Sequence, residues 1–159
     1  MNILFAGTTF NSSKILNFLN KADKINVVGV ITKPDKPGKR GSNLLESPVS
    51  SAARNANIDL FKPEQLDCID FKETISTLDV DILVVVAYGK ILPEWMLNIP
   101  KMMPINIHYS LLPCYRGSSP IQTSIINGDK HTGVTFMKMN GSLDCLLYTS
   151  DAADDSIRV

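Results

Sequence analysis

Asn106 and His108, two residues apart, are the part of this sequence best equipped for chemistry. They alternate with Ile105 and Ile107, so the run has period 2 and reads as a strand carrying the amide and the imidazole on one face. Ser-Leu-Leu-Pro at 110–113 and Arg-Gly-Ser-Ser-Pro at 116–120 follow as turn chemistry, with Pro113, Gly117 and Pro120 as breakers. The pair is therefore expected at a strand end, where open α/β sheets hold their ligands. A side-chain amide N–H can stabilise an oxyanion, and a histidine can move a proton near neutral pH. A carboxylate would complete a set for acyl transfer, and Asp144 stands beyond the next expected strand. The plainer alternative is structural, with Asn106 closing the strand end and His108 a hydrogen-bonded core residue.

The elements that must position this pair are legible in order. Residues 2–6 form a short apolar strand ending at Gly7. A helix follows, with Ser12 or Ser13 as its cap and Ile15, Leu16, Phe18 and Leu19 facing inward. The run Ala6-Gly7-Thr8-Thr9-Phe10 lacks the glycine fingerprint of dinucleotide sites, so no nicotinamide cofactor is expected. Residues 25–32 are a second strand, and a helix starts at Ser47-Pro48 and runs through Ala52, Ala53 and Ala56. A brief strand at 60–62, a helix at 71–78 and the very apolar strand at 81–87 come next. Trp95 and Leu97 read as packing residues, 120–127 as a helix ended by Gly128, and 133–139 as a strand. This alternation predicts an α/β fold, a doubly wound and mostly parallel sheet.

At 159 residues, one domain is the prior, and 44% hydrophobic residues suffice for a core. Sixteen basic and sixteen acidic residues cancel, so a nucleic-acid partner must meet a local patch. Cys68, Cys114 and Cys145 have no metal-ligand spacing, and three thiols make no paired framework. A reducing, cytoplasmic setting is expected, with no metal, no signal peptide, no membrane span and a monomeric state. The basic patch is at 33–41, Lys-Pro-Asp-Lys-Pro-Gly-Lys-Arg-Gly, which reads as a mobile cationic loop. On composition alone it is either a solvated connector or a phosphate contact.

Taken together, N-I-H-x-S-L-L-P-x-x-R-G-x-x-P-I-Q, then G-D-x-x-T-G-V-T-x-M-x-M and L-D, resemble the folate-dependent formyltransferases. Within them the sequence is most similar to enzymes acting on methionyl-tRNA, and the resemblance covers residues 1–144. It implies a Rossmann-like formyltransferase fold, 10-formyltetrahydrofolate as co-substrate and initiator methionyl-tRNA as partner. It implies catalytic roles for Asn106, His108 and Asp144. The turn Tyr88-Gly89-Lys90-Ile91-Leu92-Pro93 matches the family's folate-lining turn, which reads the pterin edge with backbone groups. The folate contacts expected are Tyr88, Gly89, Ile91, Leu92 and Pro93, joined by Ser110, Leu111, Leu112 and Pro113. The loop at 33–41 resembles the one that engages the tRNA acceptor end, which points to Lys36, Lys39 and Arg40. Departures are Cys114 for the family's first Arg, Ser118 and Ser119 for two alanines, and Thr9 for a proline.

The resemblance stops after Asp144. The string at 145–154 can be back-translated into a sequence that resembles a transposase adapter used in sequencing libraries, and residues 145–159 are expected to be a non-native tail. Family members run longer and add a β-barrel domain, so the catalytic domain at 1–144 is expected to be truncated and its sheet incomplete. Two rivals stay open: a formyltransferase acting on glycinamide ribonucleotide or an amino sugar, and a non-catalytic RNA-binding α/β module.

Overall fold

The computed structural model describes residues 1–38 and 44–139. Its strands are β1 (Asn2–Gly7), β2 (Asn26–Ile31), β3 (Leu60–Phe61), β4 (Ile82–Val86), β5 (Met103–His108) and β6 (Thr135–Lys138). Its helices are α1 (Phe10–Asn20), α2 (Pro48–Asn55), α3 (Ile69–Ser76), α4 (Glu94–Leu97) and α5 (Pro120–Ile126). The six strands form one sheet in the order β3-β2-β1-β4-β5-β6, parallel except for β6, which runs antiparallel to β5. The expected α/β, doubly wound and mostly parallel architecture is what the chain adopts.

Alternation along β1 supplies both faces of the sheet. Ile3 and Phe5 join Leu16 of α1 and Val49, Ala52 and Ala53 of α2 on one side. Leu4 and Ala6 join Ile75 of α3 and Met96 and Leu97 of α4 on the other. β4, fully buried along its length, runs between β1 and β5. Trp95 packs edge-on against Phe71 and donates its indole N–H to Asp67 at 3.0 Å, consistent with a packing role.

Several local expectations are corrected. Thr9, not Ser12 or Ser13, caps α1, its hydroxyl accepting the Ser12 N–H at 3.2 Å. Ser12 and Ser13 lie inside the first turn and are buried. Phe18 is 74% exposed, because it lies about 200° round the helix from the fully buried Leu16. Helix α3 begins at Ile69, ahead of the expected 71. Strand β6 occupies only the middle of the expected 133–139 run.

Gly7 ends β1 because nothing larger fits. A Cβ there would stand 2.8 Å from the Phe5 ring, 2.9 Å from Ser12 Cβ and 3.0 Å from the Val86 carbonyl oxygen. Strands β1 and β4 and the first turn of α1 therefore meet at one bare backbone position. Gly7→Ala is expected to destabilise the fold by about 1–3 kcal/mol through overpacking. A urea midpoint unchanged from wild type would show that this junction is slack.

Candidate functional site

The parallel strands end on one edge of the sheet. The chain leaves β1 toward β2 and β3, then returns at β4 on the other side, so the order reverses between β1 and β4. That switch point opens a crevice at the carboxyl edge. Two hydroxyls tie its walls together. Ser12 donates to the Val86 carbonyl at 2.7 Å, and Thr8 donates to the Tyr88 carbonyl at 2.9 Å.

Strand β5 brings Asn106 and His108 to this edge, two residues apart and so on one face, as expected. Asn106 is in register with Val85 of β4 and Met137 of β6, and His108 lies opposite Thr135. The Asn106 side chain is partly exposed, and its amide has no hydrogen-bond partner among the described residues. His108 is buried, and its Nε2 lies 2.9 Å from the Tyr115 carbonyl oxygen. A carbonyl only accepts, so Nε2 carries the proton and Nδ1 of the neutral ring keeps its lone pair.

The loop beyond β5 is held by its own polar groups. Ser110, fully buried, donates to the Cys114 carbonyl at 2.6 Å. Thr135 donates to the Ser110 carbonyl at 2.7 Å and accepts the Leu112 N–H at 3.1 Å. Leu111 folds over Gly133, with its Cδ2 where a Cβ at that glycine would be only 2.5 Å away. Tyr115 takes a positive φ of 55°, and its hydroxyl bonds to Asp129 and accepts from the Asn127 amide at 3.2 Å. Neither Tyr115 nor Thr135 was singled out as functional from the sequence. The Tyr115 contact is made by a backbone carbonyl, which no residue type announces. Thr135 acts only through the antiparallel register of β6, although its place in the T-G-V-T run was visible.

The turn after β4 divides its residues between core and edge. Ala87 and Gly89 take φ of 44° and 73°, turning the chain sharply off the strand. The Tyr88 ring is 1% exposed within the core, and its hydroxyl has no partner among the described residues. Burial pushes that phenol up to about 12. Leu92 is also buried, whereas Ile91 is exposed and Pro93 precedes α4. Of the expected folate contacts here, Tyr88 and Leu92 thus have their side chains in the core. Lys90 donates to the Pro63 and Glu64 carbonyls at 3.0 and 2.7 Å. Pro113 and Leu111 are exposed, and Leu112 is partly so.

The basic loop is firmer at its base than its composition suggests. Both carboxylate oxygens of Asp35 accept from Lys62 at 2.8 Å, a largely buried pair. Lys36 and Leu45 exchange backbone hydrogen bonds at 2.7 and 3.2 Å, closing a neck. Lys36 is exposed. Lys39, Arg40 and Asp144, and the whole of 145–159, lie outside the described residues. A cleft of about 590 Å³ lies between β3 and α3, lined by Phe61 and Phe71, and does not include Asn106 or His108. Among the described residues no cluster of His, Cys, Asp and Glu could hold a metal ion, and no helix is long and apolar enough to cross a membrane.

The chain matches the family described as Formyl transferase over residues 1–145. It is 48% identical over 145 residues to a methionyl-tRNA formyltransferase of Prochlorococcus marinus subsp. pastoris, covering 91% of this chain and 44% of that protein. It is 43% identical over 152 residues to a protein of the same name from Buchnera aphidicola, covering 94% and 47%. The chain spans about half the length of the curated relatives it matches. Among solved structures, phosphoribosylglycinamide formyltransferase from Anaplasma phagocytophilum superposes with a TM-score of 0.70 at 23% identity, covering 91% of this chain and 67% of that one. A sugar N-formyltransferase from a Shewanella species gives 0.55 at 20%, covering 94% and 56%. At such identities the structural likeness speaks for the fold alone.

Tyr88 offers a test of how the β4 turn is packed. Its folded-state pKa lies above the ordinary 10.0, so the stability it contributes is complete below that value. That contribution is lost as pH rises toward about 12, because the unfolded chain ionises first. Tyr88→Phe should lose less stability than wild type between those two values. At neutral pH it should stay within about 1 kcal/mol of wild type, since no hydrogen bond is broken. Parallel alkaline denaturation curves for the two proteins would show that the phenol is solvated.

Proposed function

Because this chain belongs to the formyl transferase family, we propose that a full-length protein containing it moves a formyl group from 10-formyltetrahydrofolate to the α-amino group of methionyl-tRNA. The reaction would serve translation initiation in the cytoplasm. The observation that carries the chemistry is the juxtaposition on β5 of an amide without a partner among the described residues, Asn106, with an imidazole whose proton is fixed on Nε2 by the Tyr115 carbonyl.

The folate co-substrate supplies an activated formyl carbon. The neutral amine attacks it, forming a C–N bond, and negative charge develops on the carbonyl oxygen. The Asn106 amide N–H donates to that oxygen. His108 presents a basic Nδ1 and takes a proton from the amine as it becomes bonded. The imidazolium so formed has Nδ1–H to give, first toward the oxyanion and then to the departing folate nitrogen. Asp144, by resemblance, would steady the charged ring. The turn at 88–93, with Gly89 and Ile91 at the surface, and the loop at 110–113 flank β4 and β5 at the same edge, which suits a flat ring system read by backbone groups. The Thr135 lock on Ser110 and Leu112 keeps that second loop in place.

The choice of methionyl-tRNA over a small amine rests on the relatives at 43–48% identity and on the basic loop at 33–41. Lys36, Lys39 and Arg40 would contact acceptor phosphates there. The structural neighbours that act on phosphoribosylglycinamide or a sugar share the fold at lower identity and do not favour either substrate.

In a full-length protein, Asn106→Ala should lower kcat by about 10²–10³ while barely changing the KM for folate. His108→Ala should act similarly, and the double variant should fall short of the product of the two losses. Single-turnover formylation of methionyl-tRNA measures both. Near wild-type kcat in Asn106→Ala would remove the amide from the chemistry.

A further inference from the structure

His108 owes its orientation to a backbone atom. Among the described residues its buried ring is hydrogen-bonded to the Tyr115 carbonyl oxygen, 2.9 Å from Nε2. The outer torsion of a histidine is broad and roughly two-fold. Without that carbonyl the ring can turn over and exchange the places of Nδ1 and Nε2. What holds the carbonyl therefore decides which nitrogen is left as the base.

Tyr115 is poorly suited to hold itself. Its φ of 55° lies in the left-handed region, which costs a bulky L-residue free energy and persists where neighbours enforce it. The loop's internal locks reach only as far as Cys114, whose carbonyl accepts from Ser110 and whose N–H donates to the Leu111 carbonyl at 3.0 Å. The Tyr115 side chain is anchored from outside the loop. Its hydroxyl donates to the Asp129 carboxylate and accepts the Asn127 amide N–H at 3.2 Å.

Both anchors are set by the end of α5. Asn127 is its C-cap, and Gly128 follows with a φ of 69°. The Gly128 N–H donates to the Ile125 carbonyl and the Asp129 N–H to the Ser124 carbonyl, each at 3.0 Å. That pair of bonds is a Schellman closure, which fixes the Asp129 backbone. A hydroxyl bonded to a carboxylate is among the stronger hydrogen bonds. The contacts thus run without a break from the α5 terminus through Asp129 and Tyr115 to His108. Asp129 belongs to the G-D-x-x-T-G run, and no role assigned above uses it.

We infer that Asp129 is a positioning residue: through the Tyr115 hydroxyl it holds the Tyr115 carbonyl on His108 Nε2, and so keeps Nδ1 as the basic nitrogen. This rests on the role given to His108 above. Asp129 acts only through Tyr115 and touches no reacting atom.

The test uses a full-length protein with three variants. Asp129→Ala removes the anchor, Asp129→Asn keeps an acceptor oxygen, and Tyr115→Phe keeps the ring and the carbonyl but loses the hydroxyl. In Asp129→Ala and Tyr115→Phe, kcat for formylation of methionyl-tRNA should fall about tenfold, the scale of a small misplacement of a reacting group. The KM values for both substrates should not move. Asp129→Asn should restore most of kcat, and the double variant should be no slower than either single one. Proton NMR supplies the second readout. The His108 Nε2–H signal, assigned by its loss in His108→Ala, should exchange with water faster in Asp129→Ala than in wild type. Tyr115→Phe carries the test should Asp129→Ala fail to fold. An unchanged kcat, or a lowered kcat with the His108 signal unaltered, would overturn the inference. A raised methionyl-tRNA KM at unchanged kcat would overturn it in favour of a substrate contact. If the wild-type protein does not formylate methionyl-tRNA, the preceding reading falls, and the NMR signal still decides whether Asp129 holds His108.

Discussion

The parallel pairing of β1 with β4 is the constraint on which the rest of the structure depends. It places two strands distant in sequence side by side, in register from Ile3 with Ile82 to Gly7 with Val86. Close approach at its carboxyl end is possible only because residue 7 has no side chain. Around that point Ser12 and Thr8 give their hydroxyls to the carbonyls of the facing strand and turn. The reversal of strand order follows from this pairing, and with it the crevice toward which β5 turns Asn106 and His108. The helices are then distributed over the two faces by simple alternation along β1 and β4.

Polar groups near this edge fall into two sets. Most are saturated: Ser110, Thr135, the Tyr115 carbonyl, Lys62 and Lys90 all have partners within the fold. They fix the backbone and the histidine tautomer, so little reorganisation is left for the moment of reaction. Among the described residues the Asn106 amide is left over, as are the buried hydroxyls of Tyr88 and Tyr109. The two phenol hydroxyls are shut inside the core, whereas the Asn106 amide is partly exposed and stands at the crevice, available to something other than the fold itself.

Much of this was legible in the sequence, for specific reasons. The period-2 run around Asn106 and His108 needed only alternation, and β4 needed only its unbroken apolar content. Helix α2 announced itself through Ser47 and Pro48, which occupy the cap and first turn as expected. The α1 cap is ambiguous in sequence because three hydroxyl residues, Thr9, Ser12 and Ser13, compete within one turn, and only the backbone angles choose among them. Phe18 points outward against expectation because helical phase, not side-chain size, sets which residues of α1 meet the core. The Asp35–Lys62 pair joins a loop to a strand end, and long-range ion pairs leave no local trace. The roles of Thr135 and Tyr115 depend on strand register and on a carbonyl, neither of which residue identity encodes. Asp144, Lys39 and Arg40 stand on resemblance.

The β1–β4 pairing also has a temporal side. The Asn2 N–H is bonded to the Asp81 carboxylate, 79 positions away, at 2.8 Å. On a ribosome adding about 5–20 residues each second, β1 waits several seconds for its central neighbour. During that interval β2 alone can flank it, and the apolar edge of β1 that later receives β4 stays uncovered. Such delayed, sequence-distant pairing slows folding and leaves strand edges open to the wrong partner. The strand that anchors the finished sheet is thus the one most in need of shielding while the nascent chain is still growing.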